Sequence, residues 1–227
     1  MRLFFLAFIL SAYTSCDVHA GSHDQNEAGI LSDMLTKIDD IWNWCVNPHR
    51  LQKNDDTLYA ICNLQPNSKL NATEPNITGD VLFKQCYPDG KLEAHFCIRG
   101  FPTSPNGSLR AIHIHTYGDL SNGCDSTGGH YNPNSVNHPN HPGDFGNFQV
   151  KNGNIQQHLH NLQANLFGPL SVIGRSVVVH KLADDLGKGN NQASLENGNA
   201  GLRLACCIIG ITTNASWVKW VSGPGNQ

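Results

Sequence analysis

The sequence predicts an all-β fold, an antiparallel sandwich or barrel, preceded by an amphipathic N-terminal helix. Several segments from Thr57 onward alternate apolar and polar residues with the period of a strand. Only 15% of the 227 residues are charged, and the 22 glycines and 11 prolines indicate many turns. A chain of this length buries one sizeable core, so we expect one main domain with extra segments.

The first twenty residues have the form of a secretory signal peptide. Arg2 is followed by the apolar run 3–10, and Val18-His19-Ala20 is a small-residue cleavage pattern before Gly21. The apolar run is too short to span a bilayer, and no later stretch is long enough. We therefore expect residues 1–20 to be removed and the mature protein to be secreted to the extracellular space, with no membrane partner.

Other features of the composition fit a secreted glycoprotein. Eight cysteines are present; Cys16 leaves with the signal peptide, and the remaining odd number predicts disulfides together with a free or intermolecular thiol. The formal net charge of −3 gives no reason to expect a nucleic-acid partner. Four Asn-x-Ser/Thr sequons are candidate glycosylation sites: Asn71, Asn76, Asn106 and Asn214.

Residues 30–45 carry apolar side chains at helical spacing. Positions 31, 34, 38, 41 and 45 approximate a heptad seam, and Asn47-Pro48 ends the pattern. Either this helix associates with copies of itself or it docks on its own domain. We expect residues 21–56 to be a helical oligomerisation segment and linker, giving a homo-oligomer, a dimer or a tetramer.

The strands follow in order along residues 57–212. Leu92, Ala94, Phe96 and Ile98 alternate with polar residues and predict a half-buried strand, with Cys97 on its polar side as a candidate exposed thiol. The turn 88–90 joins this strand to 81–87 as a hairpin, and Asn152-Gly153 predicts a tight turn. The other predicted strands are 109–118, 146–154, 175–181 and 202–211. Residues 213–227 form a C-terminal tail, whose two tryptophans pack either on the barrel or on a neighbour.

Two strands carry a His-x-His pair. His113 and His115 project from one face of their strand, opposite Ile112 and Ile114, and lead into a long loop, roughly 118–145. The pair His158 and His160 has the same spacing but no such neighbours, so we interpret it as a solvated strand face.

The loop after the first pair adds His130, His138, His141 and Asp144, and His180 ends another apolar strand. These ligands are too many for one tetrahedral site and one too few for two separate sites, unless one imidazole uses both ring nitrogens. An all-imidazole group suits copper, whereas a tetrahedral group with a carboxylate suits zinc.

At this point the chain resembles the copper/zinc superoxide dismutases. The resemblance covers roughly residues 58–212, and the helical N-terminus, the double cysteine and 191–201 are similar to its secreted, extracellular branch. The motifs that carry it, in the order found in the family, are AIHIHTYGD (111–119), GCDSTGGHYNP (123–133), HPGDFGN (141–147), GRSVVVHKLADDLGKG (174–189) and GNAGLRLAC (198–206).

The resemblance implies a Greek-key β-barrel with one copper and one zinc per chain. Copper ligands would be His113, His115, His130 and His180, and zinc ligands His130, His138, His141 and Asp144, with His130 as the bridging imidazolate. Superoxide would be the substrate, converted to O2 and H2O2 by alternate reduction and oxidation of the copper.

The resemblance also implies roles for residues around the metals. Asp184 would accept hydrogen bonds from His113 and His138, and Arg203 would sit beside copper and attract superoxide. The strand parity places Arg203 opposite Leu202, Leu204 and Ile208, off their buried face. Cys124 would pair with Cys206, with Cys207 as the less favoured alternative.

This sequence departs from the family near the channel and in the C-terminal tail, and it has Gly129 before His130, where proline is common in the family. The charged loop near the channel reads Gln192, Ala193 and Glu196 and keeps only Lys188 as a basic residue, so substrate guidance would depend on Arg203 and Lys188. The tail has Lys219 as its only basic residue, which makes binding of heparan sulfate doubtful. A non-catalytic metal carrier and an extracellular interaction module are the competing interpretations.

Overall fold

The computed structural model describes residues 29–38, 57–87, 89–105 and 107–223. The predicted signal peptide, the linker to residue 56, Cys45 and the sequon at Asn106 lie outside these residues. The chain divides into two compact units, Met1–His49 and Arg50–Gln227.

The described part of the first unit is a helix, α1, over residues 29–38. The apolar side chains that predicted this helix are 40–55% exposed: Ile30, Leu31, Met34, Leu35 and Ile38. Asp33 and Lys37 form an i,i+4 ion pair of 2.8 Å between carboxylate and ammonium. The helix is therefore amphipathic, as predicted, and its apolar stripe is accessible.

The second unit is a β-barrel with two short helices, which confirms the predicted fold class. A 3₁₀ turn, Asp125–Thr127, lies in the first long loop, and helices α2 (Gln192–Asn197) and α3 (Ala215–Val221) lie in the second long loop and the tail. The strands are β1 (Thr57–Pro66), β2 (Thr78–Cys86), β3 (Leu92–Arg99), β4 (Ser108–His115), β5 (Ser121–Cys124), β6 (Asp144–Val150), β7 (Asn154–Leu162), β8 (Ser176–His180), β9 (Arg203–Ile208) and β10 (Gly210–Thr212).

All of the strand pairs are antiparallel, and their order gives a Greek-key barrel. The sheet runs β6-β4-β8-β9-β1-β2-β3-β7, with β10 pairing with β1. The connection from β3 to β4 and the return from β7 to β8 therefore cross the barrel. The two end strands, β6 and β7, are joined by Asn152 and Gly153, whose positive φ values of 50° and 77° make the predicted tight turn.

The core fills the barrel with the side chains that the alternation predicted. Leu92, Ala94, Phe96 and Ile98 of β3 are all buried, and the ring of Phe96 packs 4.5 Å from that of Phe148. Ile112 and Ile114 of β4 are fully buried in the same cluster. Because these two isoleucines point inward, the histidines that alternate with them point to the outside of the barrel.

The C-terminal tail ends in α3, which packs on the outer face of the barrel. Trp217 is buried and its ring lies 6.4 Å from that of Tyr59, while the Trp220 ring stacks on His95 at 4.0 Å. The tryptophans therefore pack on the barrel, one of the two alternatives left open by the sequence. His95 was expected on a polar strand face, and this expectation is wrong because the helix covers it.

Two disulfides link β9 to parts of the barrel that are distant from it in sequence. Cys124 pairs with Cys206, which joins the first long loop to β9. Cys62 of β1 pairs with Cys207, a connection that the sequence left open. The adjacent cysteines of β9 thus point to opposite sides of the strand, each to its own partner. Cys86 and Cys97 are free and exposed.

Candidate metal centre

Strand β4 carries the first two candidate ligands, His113 and His115, on the outer face of the barrel. Both are almost completely buried. The loops that cover them run from Thr116 to Gly143 and from Lys181 to Leu202. Backbone hydrogen bonds hold these loops to the strands: Tyr131 N–H donates to Ile114 O at 2.8 Å and Lys181 N–H donates to Leu202 O at 2.8 Å. Two long loops thus remove one strand face from water.

His115 and His180 face each other with unprotonated nitrogens. The Nδ1 of His115 lies 2.8 Å from Gly128 O, and the Nδ1 of His180 lies 3.3 Å from Gly201 O. A carbonyl only accepts, so each Nδ1 carries the proton and each Nε2 presents its lone pair. The two Nε2 atoms are 3.3 Å apart. Two lone pairs at this distance repel each other, and a cation between them removes the repulsion.

His113 and His130 complete this group of imidazoles. The Nδ1 of His113 and the Nε2 of His130 are buried and have no hydrogen-bond partner within the described residues. One ligand atom from each of the four histidines lies within 4.8 Å of the others. Buried polar atoms without partners are costly, so their convergence fits a bound ion. Four imidazoles are a donor set that suits copper.

A second group converges on the carboxylate of Asp144. Its Oδ1 lies 3.0 Å from His130 Nδ1, and its Oδ2 lies 2.9 Å from both His138 Nδ1 and His141 Nδ1. The two latter nitrogens form no hydrogen bond of acceptable geometry. Three imidazoles and one carboxylate match the tetrahedral donor set of zinc. His130 faces Asp144 with Nδ1, and its Nε2 is buried without a hydrogen-bond partner on the side of the other imidazoles.

The carboxylate of Asp184 connects the two groups through the ring nitrogens that face away from the candidate metal positions. Its Oδ2 accepts a hydrogen bond from His113 Nε2 at 2.9 Å and its Oδ1 accepts one from His138 Nε2 at 2.7 Å. These bonds turn the other nitrogen of each ring toward the candidate metal positions. Gly198 is required here because a Cβ at this position would collide with the Asp184 carboxylate. Asn147 holds the Asp184 backbone with two hydrogen bonds, of 2.7 and 2.8 Å.

Most of the pKa shifts in the centre favour metal binding. His138 is the exception: burial acts to lower its pKa, but Asp144 and Asp184 raise it to about 9, so this imidazole must lose a proton when a metal binds. Burial acts to raise the pKa of Asp144, but the hydrogen bond with His130 and the close imidazole nitrogens of His138 and His141 outweigh burial, and the net pKa lies far below the usual range. Burial lowers the pKa of His130 to about 4 and lowers that of His115 and His180 strongly. At neutral pH these groups are therefore one carboxylate and three neutral imidazoles, which are the forms that bind metals.

A cleft opens from the imidazole group to solvent. Its walls include His115, His130, His180, Glu196 and Arg203. Nη1 of Arg203 donates to Cys124 O at 2.9 Å and to Thr127 Oγ1 at 3.0 Å. Because the Cys124–Cys206 disulfide fixes the loop that bears these acceptors, it also fixes the guanidinium at the mouth of the cleft.

Comparison with known proteins agrees with this geometry. Residues 77–209 match the family model described as copper/zinc superoxide dismutase. The extracellular Cu-Zn superoxide dismutase of Homo sapiens is 51% identical over 198 residues, which cover 86% of this chain and 80% of the relative. The chain belongs to the copper/zinc superoxide dismutase family. The extracellular enzyme of Mus musculus is 53% identical over 187 residues, which cover 82% of this chain and 74% of the relative.

The fold of this superoxide dismutase family member also matches solved structures. One of them, titled a crystal structure analysis of the clock protein EA4, is 38% identical and aligns with a TM-score of 0.59. The alignment covers 71% of this chain and 99% of the chain in that structure. The extracellular relatives support the secreted location that the leader segment predicts.

Two sequence expectations around Arg203 need correction. Leu202 and Ile208 were expected on a buried face, but they are 53% and 44% exposed. Leu202 lies before β9 begins. The register of β8 and β9 shifts between Val179 and His180, and this shift resets the alternation that was expected to bury Ile208. Arg203 nonetheless lines the cleft. Lys188 is exposed on the same loop but does not belong to the cleft walls.

The interpretation of the second His-x-His pair is half right. His160 is 59% exposed, as a solvated strand face requires, but His158 is only 22% exposed. The rings of Trp217 and Trp220 lie 5.6 and 4.7 Å from that of His158. The sequons at Asn71, Asn76 and Asn214 are exposed. Of the helices described, none is long and apolar enough to cross a membrane.

Some contributors to the centre had no signal in the sequence. The carbonyls of Gly128 and Gly201 fix two ligand tautomers, and Asn147 positions Asp184. Backbone acceptors cannot be identified from side-chain type. Asn147 lies within a recognised motif on β6, but the residue type alone does not show that its side chain reaches the backbone of Asp184.

Proposed function

We propose that this chain is a secreted superoxide dismutase in which two ligand groups share one histidine. Copper would be held by His113, His115, His130 and His180, and zinc by His130, His138, His141 and Asp144. The observation that carries this proposal is the division of His130: Nδ1 faces the carboxylate of Asp144, and Nε2 is buried without a partner on the side of the other imidazoles.

Bound copper supplies one-electron redox chemistry, and bound zinc fixes and polarises the shared imidazole. The protein's own contribution is to position donors and protons. His115 and His180 are held in one tautomer by Gly128 O and Gly201 O, so that their Nε2 atoms stay available. The Nε2 of His130 is buried without a hydrogen-bond partner on the side of the other imidazoles, so it would be placed to take up a proton and pass it on during turnover.

Arg203 would guide the anionic substrate. Among the residues that line the cleft, it is the one with a permanently charged cationic side chain, whereas Glu196 has the opposite charge. Hydrogen bonds to Cys124 O and Thr127 Oγ1 hold the guanidinium in place before substrate arrives. Lys188 lies outside the cleft walls, and we expect it to add a smaller long-range attraction for superoxide. The negative charge of Glu196 should oppose the attraction by Arg203 and Lys188.

We also propose that the protein is a homo-oligomer assembled through α1. The apolar stripe of this helix is exposed, and its spacing continues beyond residue 38 into the heptad pattern that ends at Cys45. A second copy of the same stripe is the complementary surface. Deleting residues 21–50 should lower the molecular mass measured by light scattering while metal content stays the same. An unchanged mass would mean that the helix does not hold copies together.

The function is tested by loading the purified protein with metals and following superoxide decay after a pulse. We expect first-order decay that depends on enzyme concentration. Because Arg203 lines the cleft, the rate should fall as ionic strength rises. A metal-loaded protein that does not accelerate decay would favour a metal carrier.

The same preparation can be passed over immobilised heparan sulfate, where we expect no retention at physiological salt.

A further inference from the structure

A second cluster of metal-ligating side chains lies on the outer face of the barrel where β3 and β7 pair. Glu93 is on β3, and His158 and His160 are on β7. One ligand atom from each lies within 4.8 Å of the others. The register of the two strands shifts between Leu92 and Ala94, next to Glu93. Such an irregularity re-aims a side chain, and here Glu93 lies against both imidazoles.

The distances between donor atoms suit a small divalent ion. Glu93 Oε2 lies 3.2 Å from His158 Nε2 and 3.4 Å from His160 Nδ1. Zinc bonds to nitrogen and oxygen are about 2.0–2.2 Å long, so neighbouring donors of a tetrahedral site are about 3.4 Å apart. Both distances from the carboxylate oxygen to an imidazole nitrogen are close to this spacing, and all three ligand atoms lie within 4.8 Å of one another.

The surroundings hold the ligands in these positions. The His158 ring contacts Trp217 and Trp220 of α3 edge-on and lies 4.0 Å from the His160 ring. The Nε2 of His158 is buried and makes no hydrogen bond of acceptable geometry. Lys84 Nζ lies 3.5 Å from Oε1 of Glu93, which leaves the other carboxylate oxygen facing the imidazoles. The same ammonium repels a cation, so the affinity should be lower than that of the buried centre.

We propose that Glu93, His158 and His160 form a third metal site on each chain, for a divalent cation of the zinc type. Two imidazoles and one carboxylate are a donor set that zinc accepts with water as the fourth ligand. The exposed edge of His160 gives solvent access. Glu93 and the two histidines belong to strands that contribute no ligand to the copper and zinc groups, so this site does not depend on the proposed dismutase activity.

The proposal is tested on full-length protein whose buried centre is already loaded with copper and zinc. Zinc chloride is titrated into it by calorimetry at neutral pH, and tryptophan fluorescence is followed in parallel because Trp217 and Trp220 touch His158. We expect a further zinc equivalent per chain with a fluorescence change. His160→Gln and Glu93→Gln should each weaken that equivalent about tenfold or more, since even indirect ligand partners contribute this much.

A matched control separates ligand loss from loss of charge. Asp80→Asn removes the same charge as Glu93→Gln, from an exposed carboxylate on the neighbouring strand β2. Asp80→Asn should keep the further equivalent, and superoxide decay should be unchanged in all three variants. The proposal is overturned if no further equivalent binds, if both ligand variants bind it as the parent does, or if Asp80→Asn weakens it as much as Glu93→Gln.

Discussion

The bridging carboxylate of Asp184 gives the sharpest prediction about the metal centre. Asp184 accepts hydrogen bonds from His113 and His138, at 2.9 and 2.7 Å, from a fully buried position. Burial acts to raise its pKa, but the hydrogen bonds from these two histidines outweigh burial, so the group is a carboxylate throughout the working pH range. An ionised acceptor strengthens both bonds.

Asp184→Asn removes this double acceptor while keeping the side-chain shape. An amide has one acceptor oxygen, and its NH2 group cannot accept, so one of the two imidazole N–H groups loses its partner. Loss of such an indirect ligand partner typically lowers metal affinity ten- to a hundredfold, which is about 1.4–2.7 kcal/mol. We expect this loss at the zinc group through His138, at the copper group through His113, or at both.

The assay is competition with a calibrated chelator, followed by metal analysis of the protein. Asp185→Asn is the matched control, because the neighbouring Asp185 accepts from Ser194 Oγ and Asn199 Nδ2 and contacts no histidine. The control should keep parental affinity for both metals. Affinity of Asp184→Asn within about threefold of the parent for both metals, or an equal loss in Asp185→Asn, would refute the positioning role of Asp184.

Four further changes test other parts of the structure. Arg203→Ala should slow superoxide decay roughly tenfold at low salt and flatten its ionic-strength dependence, with partial recovery in Arg203→Lys. Glu196→Gln should speed decay by up to about threefold at low salt only, because it removes a repulsive charge from the cleft. Burial lowers the pKa of His95 to about 4, so between pH 6.5 and 4 the unfolded chain binds more protons than the folded chain. The free energy of unfolding therefore decreases as the pH is lowered from 6.5 to 4. His95→Phe should therefore lose less stability than the parent between pH 7 and 4.5 in urea unfolding, and an equal loss would contradict this. Replacing Cys62 and Cys207 by serine should lower the free energy of unfolding by about 2–5 kcal/mol without changing metal content.

The barrel was predictable from sequence because its strands alternate cleanly. The inward set on β3 and the pair Ile112 and Ile114 are buried as expected, since a strand with one face in a core must alternate. The prediction failed around β9, because the register shift turned Ile208 away from the buried face and Leu202 lies before the strand begins. A bulge depends on the neighbouring strand, which the local pattern does not contain.

The tail and the outer face of β3 were less predictable for a similar reason. Nothing in the local sequence places α3 over His95, because that contact joins residues more than a hundred positions apart. The same helix partly covers His158, and the pairing of β3 with β7 brings Glu93 to the second His-x-His pair. The spacing within β7 identified His158 and His160 as a pair, but the proximity of the Glu93 carboxylate is visible only in the fold.

The metal centre shows both the strength and the limit of counting ligands. The number and type of ligands required one imidazole to use both nitrogens, and the structure places His130 between the two groups. The tautomers of His115 and His180 depend on backbone carbonyls whose positions follow from the loops. These features determine which nitrogen is available, and they are invisible in the residue types.

One centre on each chain would hold copper and zinc through a shared His130 and remove superoxide. The most direct measurement combines metal analysis with superoxide-decay kinetics on the same purified sample. We expect about one copper and one zinc in the buried centre of each chain, and a decay rate proportional to the copper content. A fully loaded protein that leaves superoxide decay at the spontaneous rate would contradict this expectation.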